Sequence, residues 1–147
     1  ILIRLLEDLQ ILNESNIHHL NINPKTLYFS ERSEVKLQNF ANPKFFSMIF
    51  ESEKEMYKNI FFINKIKVNW QAQEIQDDSQ IDQEKVDIFA IGKLIELLEP
   101  EKNSILHRLS RDMIDQDPSQ RPTFSKCLIF IHQKGILPKC VLEIFVI

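Results

Sequence analysis

Hydrophobic residues recur with a helical period near the start of the chain. Leucines stand at positions 2, 5, 6, 9 and 12, and charged or amide side chains fill most of the positions between them. In an α-helix these leucines share one face, so the pattern predicts an amphipathic helix over residues 2–13 with one buried stripe. The polar run at residues 13–16 predicts the end of this helix.

Three further helices are predicted in the second half of the chain. Residues 86–98 are apolar on nearly all sides, which predicts a buried central helix that Pro100 ends. Residues 104–114 have one apolar face and predict another amphipathic helix. Thr123 is a favourable N-cap for a last helix, which we expect to run to about His132.

Two short runs favour β-structure. Leu27–Phe29 and Val35–Leu37 are rich in strand-forming residues, and the polar segment 30–34 separates them. This arrangement predicts a small β-hairpin. The pattern therefore predicts a mainly α fold (α+β), with helices around a buried central helix and a small β-hairpin.

The composition is that of a single globular domain. The chain has 147 residues, of which 44% are hydrophobic and 27% are charged, and its formal net charge is -3. No basic cluster is long enough to indicate nucleic-acid binding. Charges interrupt every apolar run before ~18 residues, so we expect no direct membrane insertion. With only two glycines, Gly92 and Gly135, the chain cannot form a glycine-rich phosphate loop.

The two cysteines, Cys127 and Cys140, have no framework spacing. We interpret them as reduced packing residues of an intracellular protein. A zinc site formed by Cys127, His132 and Cys140 is the alternative, but it lacks the usual paired ligand spacing. We therefore predict no metal site.

The most informative motif is HLNINPKT at residues 19–26, which is followed by NFA at 39–41. These segments resemble the catalytic loop (H-R-D-x-K-P-x-N) and the D-F-G motif of protein kinases, at matching spacing. Later segments extend the resemblance: AQE at 72–74 stands where the family has A-P-E, DIFAIG at 87–92 resembles D-x-x-S-x-G, and DPSQRPT at 117–123 resembles D-P-x-x-R-P-T. The resemblance is to the C-terminal helical lobe alone. It implies a pseudokinase C-lobe-like domain over residues 1–135, with an activation-segment-like loop over 39–74.

The resemblance gives structural roles to the residues that the chain retains. It implies that Glu74 and Arg121 form a semi-buried ion pair, although two unrelated surface charges are the alternative. Asp87 is expected to accept backbone N–H bonds from the loop around His19. His19 and Phe40 match the two side chains that stack inside the family's lobe.

The residues that carry the family's chemistry are replaced. Asn21 stands in place of the catalytic aspartate, and its neutral amide cannot accept the substrate proton. Asn39 and Thr26 stand at the magnesium-binding positions, and Asn23 replaces the lysine that neutralises the transferred phosphoryl group. Tyr28 falls where the family has a small aliphatic side chain beneath adenine, which argues against ATP binding. We predict no enzyme activity and no cofactor.

Two apolar regions are candidate contacts with a partner protein. Five aromatic residues lie in the activation-segment-like loop, and they are Phe45, Phe46, Phe50, Phe61 and Phe62. The tail 136–147 is apolar and β-branched, with Val141 and Phe145 as candidate contacts. The loop aromatics could equally fold into the domain's own core, and the tail could add a strand to a neighbouring sheet.

The sequence thus predicts a non-catalytic pseudokinase lobe. We expect it to serve as a structural or protein-interaction subunit of a multi-subunit assembly in the cytoplasm, with cytoskeletal or ciliary assemblies as candidate settings. Two alternatives remain: a degenerate serine/threonine-type kinase, or a nucleotide-binding pseudokinase, completed by a missing N-lobe.

Overall fold

The computed structural model describes residues 2–29, 35–37, 69–76, 81–99, 101 and 103–136. This part of the chain is mainly helical, which confirms the predicted fold class at that level. Its helices and strands are α1 (Leu2–Glu14), β1 (Leu27–Phe29), β2 (Val35–Leu37), α2 (Gln83–Leu98), α3 (Ile105–Met113) and α4 (Phe124–Gln133). Two 3-10 turns, Gln73–Gln76 and Pro118–Gln120, precede α2 and α4 respectively.

The helix α2 is the buried centre of the described fold. Most of its residues between Val86 and Ile95 are buried, including the charged Asp87. It packs against α3, while α1 packs against α4. The sequence pattern predicts the start of α2 at Val86, whereas the helix begins at Gln83. The reason is a polar cap, because the carboxylate of Asp82 accepts the backbone N–H of Lys85 at 3.3 Å.

Side-chain caps also fix the starts of α3 and α4. The hydroxyl of Ser104 accepts the N–H of His107 at 3.0 Å, and that of Thr123 accepts the N–H of Lys126 at 3.2 Å. Each cap satisfies one of the backbone donors that a helix N-terminus leaves without a partner. Both caps lie where the sequence pattern predicts the helices to begin.

The ends of α1 and α4 share one backbone motif. After α1, Asn16 has a φ of 56°, and the N–H of Ile17 reaches back to the carbonyl of Leu12 at 2.9 Å. After α4, Gly135 has a φ of 65°, and the N–H of Ile136 bonds to the carbonyl of Ile131 at 3.3 Å. Both are Schellman motifs, in which a left-handed residue lets the chain satisfy the last helical carbonyls.

The hydrophobic core joins the first and last helices across α2. Leu6, Ile91 and Ile131, from α1, α2 and α4, are completely buried in one apolar cluster. Burial of one such side chain contributes ~1.5–3 kcal/mol. Gly92 allows the close approach of α2 and α3, because an added Cβ would lie 2.6 Å from Cγ2 of Ile114.

The two strands pair antiparallel, with Leu27 opposite Leu37 and Phe29 opposite Val35. The segment 30–34, which would form the turn of the predicted hairpin, lies outside the described residues. Within the described ranges, no helix is both long enough and apolar enough to cross a membrane.

Candidate functional site

The segment 19–26 lies in the loop between α1 and β1, and Asp87 of α2 anchors this loop. One carboxylate oxygen of Asp87 accepts the backbone N–H of His19 at 2.8 Å, and the other accepts that of Leu20 at 2.7 Å. Asp87 is 1% exposed. These are the backbone contacts that the kinase resemblance implies for this carboxylate, and they span 68 and 67 positions of the chain.

Two opposing effects act on the pKa of Asp87. Burial raises this pKa to about 6, because a low-dielectric environment disfavours the charged form. The two backbone hydrogen bonds from His19 and Leu20 act in the opposite direction, because they stabilise the carboxylate. Near neutral pH the carboxylate is ionised, and both of its oxygens already have donors within the protein.

The anchored loop contains a strained residue. Leu20 has a φ of 58°, which is in the left-handed region and is uncommon for a bulky apolar side chain. Such a conformation costs on the order of 1–3 kcal/mol and persists only where the surrounding structure holds it. The short bond from Leu20 N–H to Asp87 supplies that restraint.

His19 lies inside the fold rather than at a reactive surface. Its side chain is 0% exposed, and Nδ1 accepts the backbone N–H of Asn21 at 3.2 Å. The proton of neutral His19 therefore lies on Nε2. His19 positions the backbone at the start of the loop.

Three polar side chains of this loop form hydrogen bonds within it. The amide nitrogen of Asn23 donates to the main-chain and side-chain oxygens of Asn21 at 2.9 and 3.1 Å. The hydroxyl of Thr26 accepts the N–H of Asn23 at 3.1 Å and lies 3.0 Å from the carbonyl oxygen of Asn21. Thr26 is only 3% exposed. These neutral groups therefore stabilise the loop conformation, and none of them can act as a general base near neutral pH.

Arg121 is the centre of a second buried network. Its guanidinium contacts both carboxylate oxygens of Glu74, the second of them at 3.2 Å. It also donates to the carbonyl oxygens of Lys85 at 3.0 Å and Asp115 at 2.7 Å. The ring of Phe89 lies 4.8 Å from the guanidinium carbon, in a cation–π contact. The pair Glu74–Arg121 thus lies where the motif order implies it, and it joins the turn 73–76 to α2 and to the segment after α3.

Two further residues strengthen this junction, and the sequence did not identify them. The ammonium group of Lys85 donates to the backbone carbonyl of Arg121. The carboxylate of Glu84 accepts the N–H of Phe124 at 2.8 Å. The only available signal is that two charged residues occupy the first turn of a largely buried helix. Nothing local indicates that their partners lie about 40 positions later.

A pocket of about 270 Å³ lies between the loop and the segment 69–71. Among the described residues that line it, Asp87 is the one ionisable side chain, and Asn21, Asn23, Asn69 and Gln71 contribute amides. The lining residues are Leu20, Asn21, Ile22, Asn23, Asn69, Trp70, Gln71, Ile75, Val86, Asp87 and Ala90. Across the described ranges, no three His, Cys, Asp or Glu side chains are grouped as metal ligands.

Several predicted site residues lie outside the described residues. These are Asn39, Phe40, Phe45, Phe46, Phe50, Phe61, Phe62, Val141 and Phe145. Of the predicted tail, only Ile136 is described, and it packs against the core while partly buried. Cys127 is a free, fully buried thiol, and burial raises its pKa to about 12.

The site thus combines amide and hydroxyl side chains at positions 21, 23 and 26 of the loop with charged groups that lie outside the loop. Asp87 and the pair Glu74–Arg121 are used to hold segments of the chain together, and the loop side chains bond to one another. A scan against known protein families finds no model that matches the chain, and a search of curated proteins finds no match. Any function proposed for the chain therefore follows from its residues and their geometry.

Proposed function

We propose that the chain is a non-catalytic, protein kinase-like helical lobe that serves as a structural or protein-interaction subunit of a larger assembly. One observation supports this most directly. The buried groups Asp87 and Arg121 and the partly buried Glu74 form contacts that join distant segments, whereas Asn21 and Asn23 offer only neutral amides. The frame of a kinase lobe is maintained, and its chemical groups are replaced.

The chemistry of phosphoryl transfer explains why these replacements matter. The reaction depends on positioning and on charges that neutralise the phosphoryl group and hold Mg²⁺. The loss of a general base alone costs about 10²–10⁴ in rate. Asn21, Asn23 and Thr26 supply neither a base nor a charge. Asn23 and Thr26 both form hydrogen bonds to Asn21 within the loop.

A phosphotransfer assay tests the absence of catalysis. The chain is incubated with labelled ATP, Mg²⁺ and casein as a generic protein acceptor, and label in casein is measured. We expect no incorporation above a blank without the chain. The matched control is Asn21→Ala. Incorporation by the wild-type chain that this variant abolishes would contradict the proposal and favour the degenerate kinase.

Thermal unfolding with and without ATP and Mg²⁺ separates the proposal from a nucleotide-binding pseudokinase. A ligand that binds only the folded chain raises the Tm as its concentration rises. We expect the Tm to stay constant. A concentration-dependent rise would show that a nucleotide acts as a structural ligand.

The half-buried residues around the pocket support a role in assembly. Leu20, Trp70 and Ile75 line it and are each only partly buried. In the kinase fold this side of the lobe faces a second lobe, and large apolar patches are rarely left open on monomers. We therefore expect the isolated chain to self-associate in size-exclusion chromatography with light scattering. A monodisperse monomer would contradict an obligate partner.

We also propose that the assembly is cytoplasmic. Cys127 is a free thiol enclosed in the apolar core, where it packs as a small hydrophobic side chain. Reduced thiols of this kind are typical of proteins in reducing compartments. Fractionation of cells that express the tagged full-length product would test the location.

A further inference from the structure

A second concavity lies between α3 and the C-terminal turn of α4. It has a volume of about 580 Å³, and none of its lining residues belongs to the loop 19–26. Ile105 and Phe130 supply its apolar lining, and both are half-buried. Its volume falls within the range of ligand-binding clefts. We call it the α3–α4 groove.

Three cations line the α3–α4 groove without a carboxylate partner. Arg108, Arg111 and Lys134 are exposed, and none of them forms an ion pair with any residue that the structure describes. Asp112 and Asp115 follow the two arginines by one helical turn, a spacing that often gives ion pairs, yet no pair forms here. The positive groups therefore remain available to an external ligand.

Two cations elsewhere on the described surface do form ion pairs. Arg4 on α1 contacts both Glu7 and Asp8, and Lys93 on α2 contacts Glu96. The whole chain is acidic, with 21 acidic and 18 basic residues. Among the described residues, the α3–α4 groove thus combines an apolar lining with three exposed cations that form no ion pair, whereas Lys126 is not among the lining residues.

We propose that the α3–α4 groove binds an acidic peptide segment of a partner protein. An apolar side chain of the peptide packs against Phe130 and Ile105, and flanking carboxylates contact the guanidinium groups of Arg108 and Arg111. Arginine favours this role because its planar donors bind carboxylates in a bidentate manner. The proposal rests on the proposed interaction role, and it does not depend on the kinase resemblance.

Lys134 contributes to the cationic part of the groove and also contacts its apolar lining. Its ammonium group lies 5.9 Å from the centre of the Phe130 ring. The ring and the cation can therefore receive adjacent apolar and acidic side chains of one peptide. Such alternation suits an extended peptide in which an apolar residue lies between acidic ones.

The carboxylates in the groove favour a peptide over an anionic membrane. Asp112 and Asp115 also line it, and Oδ1 of Asp115 accepts the N–H of Asp117 at 2.9 Å. A uniformly negative lipid surface would approach these carboxylates and be repelled. A peptide can direct its own carboxylates to the arginines and a backbone N–H towards the aspartates.

Fluorescence anisotropy tests the proposal with a labelled octapeptide that has one phenylalanine flanked by glutamates. We expect the complete chain to bind it, and more weakly as ionic strength rises. Arg108→Glu and Arg111→Glu should each weaken binding by roughly tenfold or more. Lys126→Glu is the matched control, since it makes the same charge change at an exposed position in the first turn of α4, and it should leave binding unchanged. Circular dichroism checks that each variant is folded.

Two control probes identify the chemistry of the ligand. A peptide with serine in place of phenylalanine should bind more weakly, and one with lysines in place of glutamates should not bind. Equal weakening by Lys126→Glu, absence of binding to the acidic peptide, or arginine-dependent binding to phosphatidylserine vesicles instead would each overturn the proposal. None of these results affects the phosphotransfer and light-scattering tests, so the two proposals can fail separately.

Discussion

At the scale of single residues, Asp87 performs two tasks that conflict electrostatically. It accepts hydrogen bonds from two backbone N–H groups of a strained loop, and to do so its carboxylate lies in a position that is only 1% exposed. The strain at Leu20 and the burial of Asp87 are therefore linked, since the hydrogen bond from Leu20 N–H to the buried carboxylate holds Leu20 in its left-handed conformation. This linkage should be measurable as a dependence of stability on pH.

The predicted pH dependence follows from the raised pKa of Asp87. The pKa in the folded chain is about 6, against an ordinary value of 3.8, so the folded chain holds this proton more tightly than the unfolded chain. The contribution of Asp87 to the free energy of unfolding is thus fully present below about pH 4 and is lost as the pH rises through 6. The full change is on the order of 3 kcal/mol.

Urea unfolding of the wild-type chain and of Asp87→Asn across this pH range tests that prediction. The difference in free energy of unfolding, wild type minus variant, should decrease as the pH rises, because asparagine does not titrate. Asp112→Asn, at an exposed position, is the control and should run parallel to the wild type. Parallel curves for Asp87→Asn as well would show that Asp87 does not titrate in this range.

At the scale of elements, the sequence predicts helix positions well where the signal is local. Thr123 and Ser104 cap their own helices, so their positions follow from residue type and the next few residues. The sequence pattern predicts the start of α2 three residues late, because Asp82 lies within a polar stretch. Only the hydrogen bond from Lys85 N–H identifies Asp82 as the N-cap. The 3-10 turn Gln73–Gln76 has no periodic pattern at all and could not be predicted.

The contact of α2 with α3 gives a prediction whose sign opposes helix propensity. Alanine is favoured over glycine in a helix interior by about 1 kcal/mol. At Gly92, however, the new methyl would lie 2.6 Å from Ile114 and 2.8 Å from Met113. We expect Gly92→Ala to destabilise the chain by about 1–3 kcal/mol in chemical denaturation.

Gly135→Ala is the matched comparison for this variant. It adds the same methyl group where no atom lies within 4 Å, at a φ of 65°. Its cost should be backbone strain alone, about 1 kcal/mol. If Gly92→Ala were as stable as the wild-type chain, the prediction would be wrong, because α2 and α3 would then move apart to accept the methyl group at little cost.

The end of α1 gives a second prediction at this scale. Asn16 is exposed and has a φ of 56°, a conformation that asparagine tolerates and glycine favours. Asn16→Ala should lower the thermal stability by about 1 kcal/mol, whereas Asn16→Gly should leave it equal or higher. Ser15→Ala, at the neighbouring exposed position, is the control. Equal effects of alanine and glycine at position 16 would exclude a left-handed backbone there.

At the scale of the whole molecule, the decisive contacts join residues that are far apart in sequence. The partners Glu74 and Arg121 are 47 positions apart, and periodicity gives no reason to pair them. Only the order of motifs that resemble a kinase lobe predicts this contact and the one from Asp87 to His19. The sequence does not predict the roles of Glu84 and Lys85, because neither residue belongs to a recognised motif. Local patterns also give no indication of their distant partners.

Removal of the two partners should have unequal effects. Arg121 serves Glu74 and two backbone carbonyls, and its side chain is 1% exposed, whereas that of Glu74 is 20% exposed and can be hydrated. We expect Arg121→Ala to cost about 3–5 kcal/mol in denaturant unfolding and Glu74→Ala clearly less. Arg4→Ala, which removes a surface cation, should cost at most about 1 kcal/mol.

A double-mutant cycle completes this test. The double variant Glu74→Ala, Arg121→Ala should cost less than the sum of the single variants, because both share one interaction. Hydrogen exchange should show faster exchange in the segment 69–76 of either variant. If the costs of the two single variants simply added, the direct interaction between Glu74 and Arg121 would contribute nothing to the free energy of unfolding.

The packing of α1 against α4 has a consequence for how the chain is made. The ribosome releases α1 well before α4, the helix that covers its apolar face. Until then Leu2, Leu5 and Leu9 have no permanent cover, and exposed apolar surface of this kind makes nascent chains prone to aggregation. Stable folding of α1 must therefore await the synthesis of α4, and we expect the nascent chain before that point to be a substrate for chaperones.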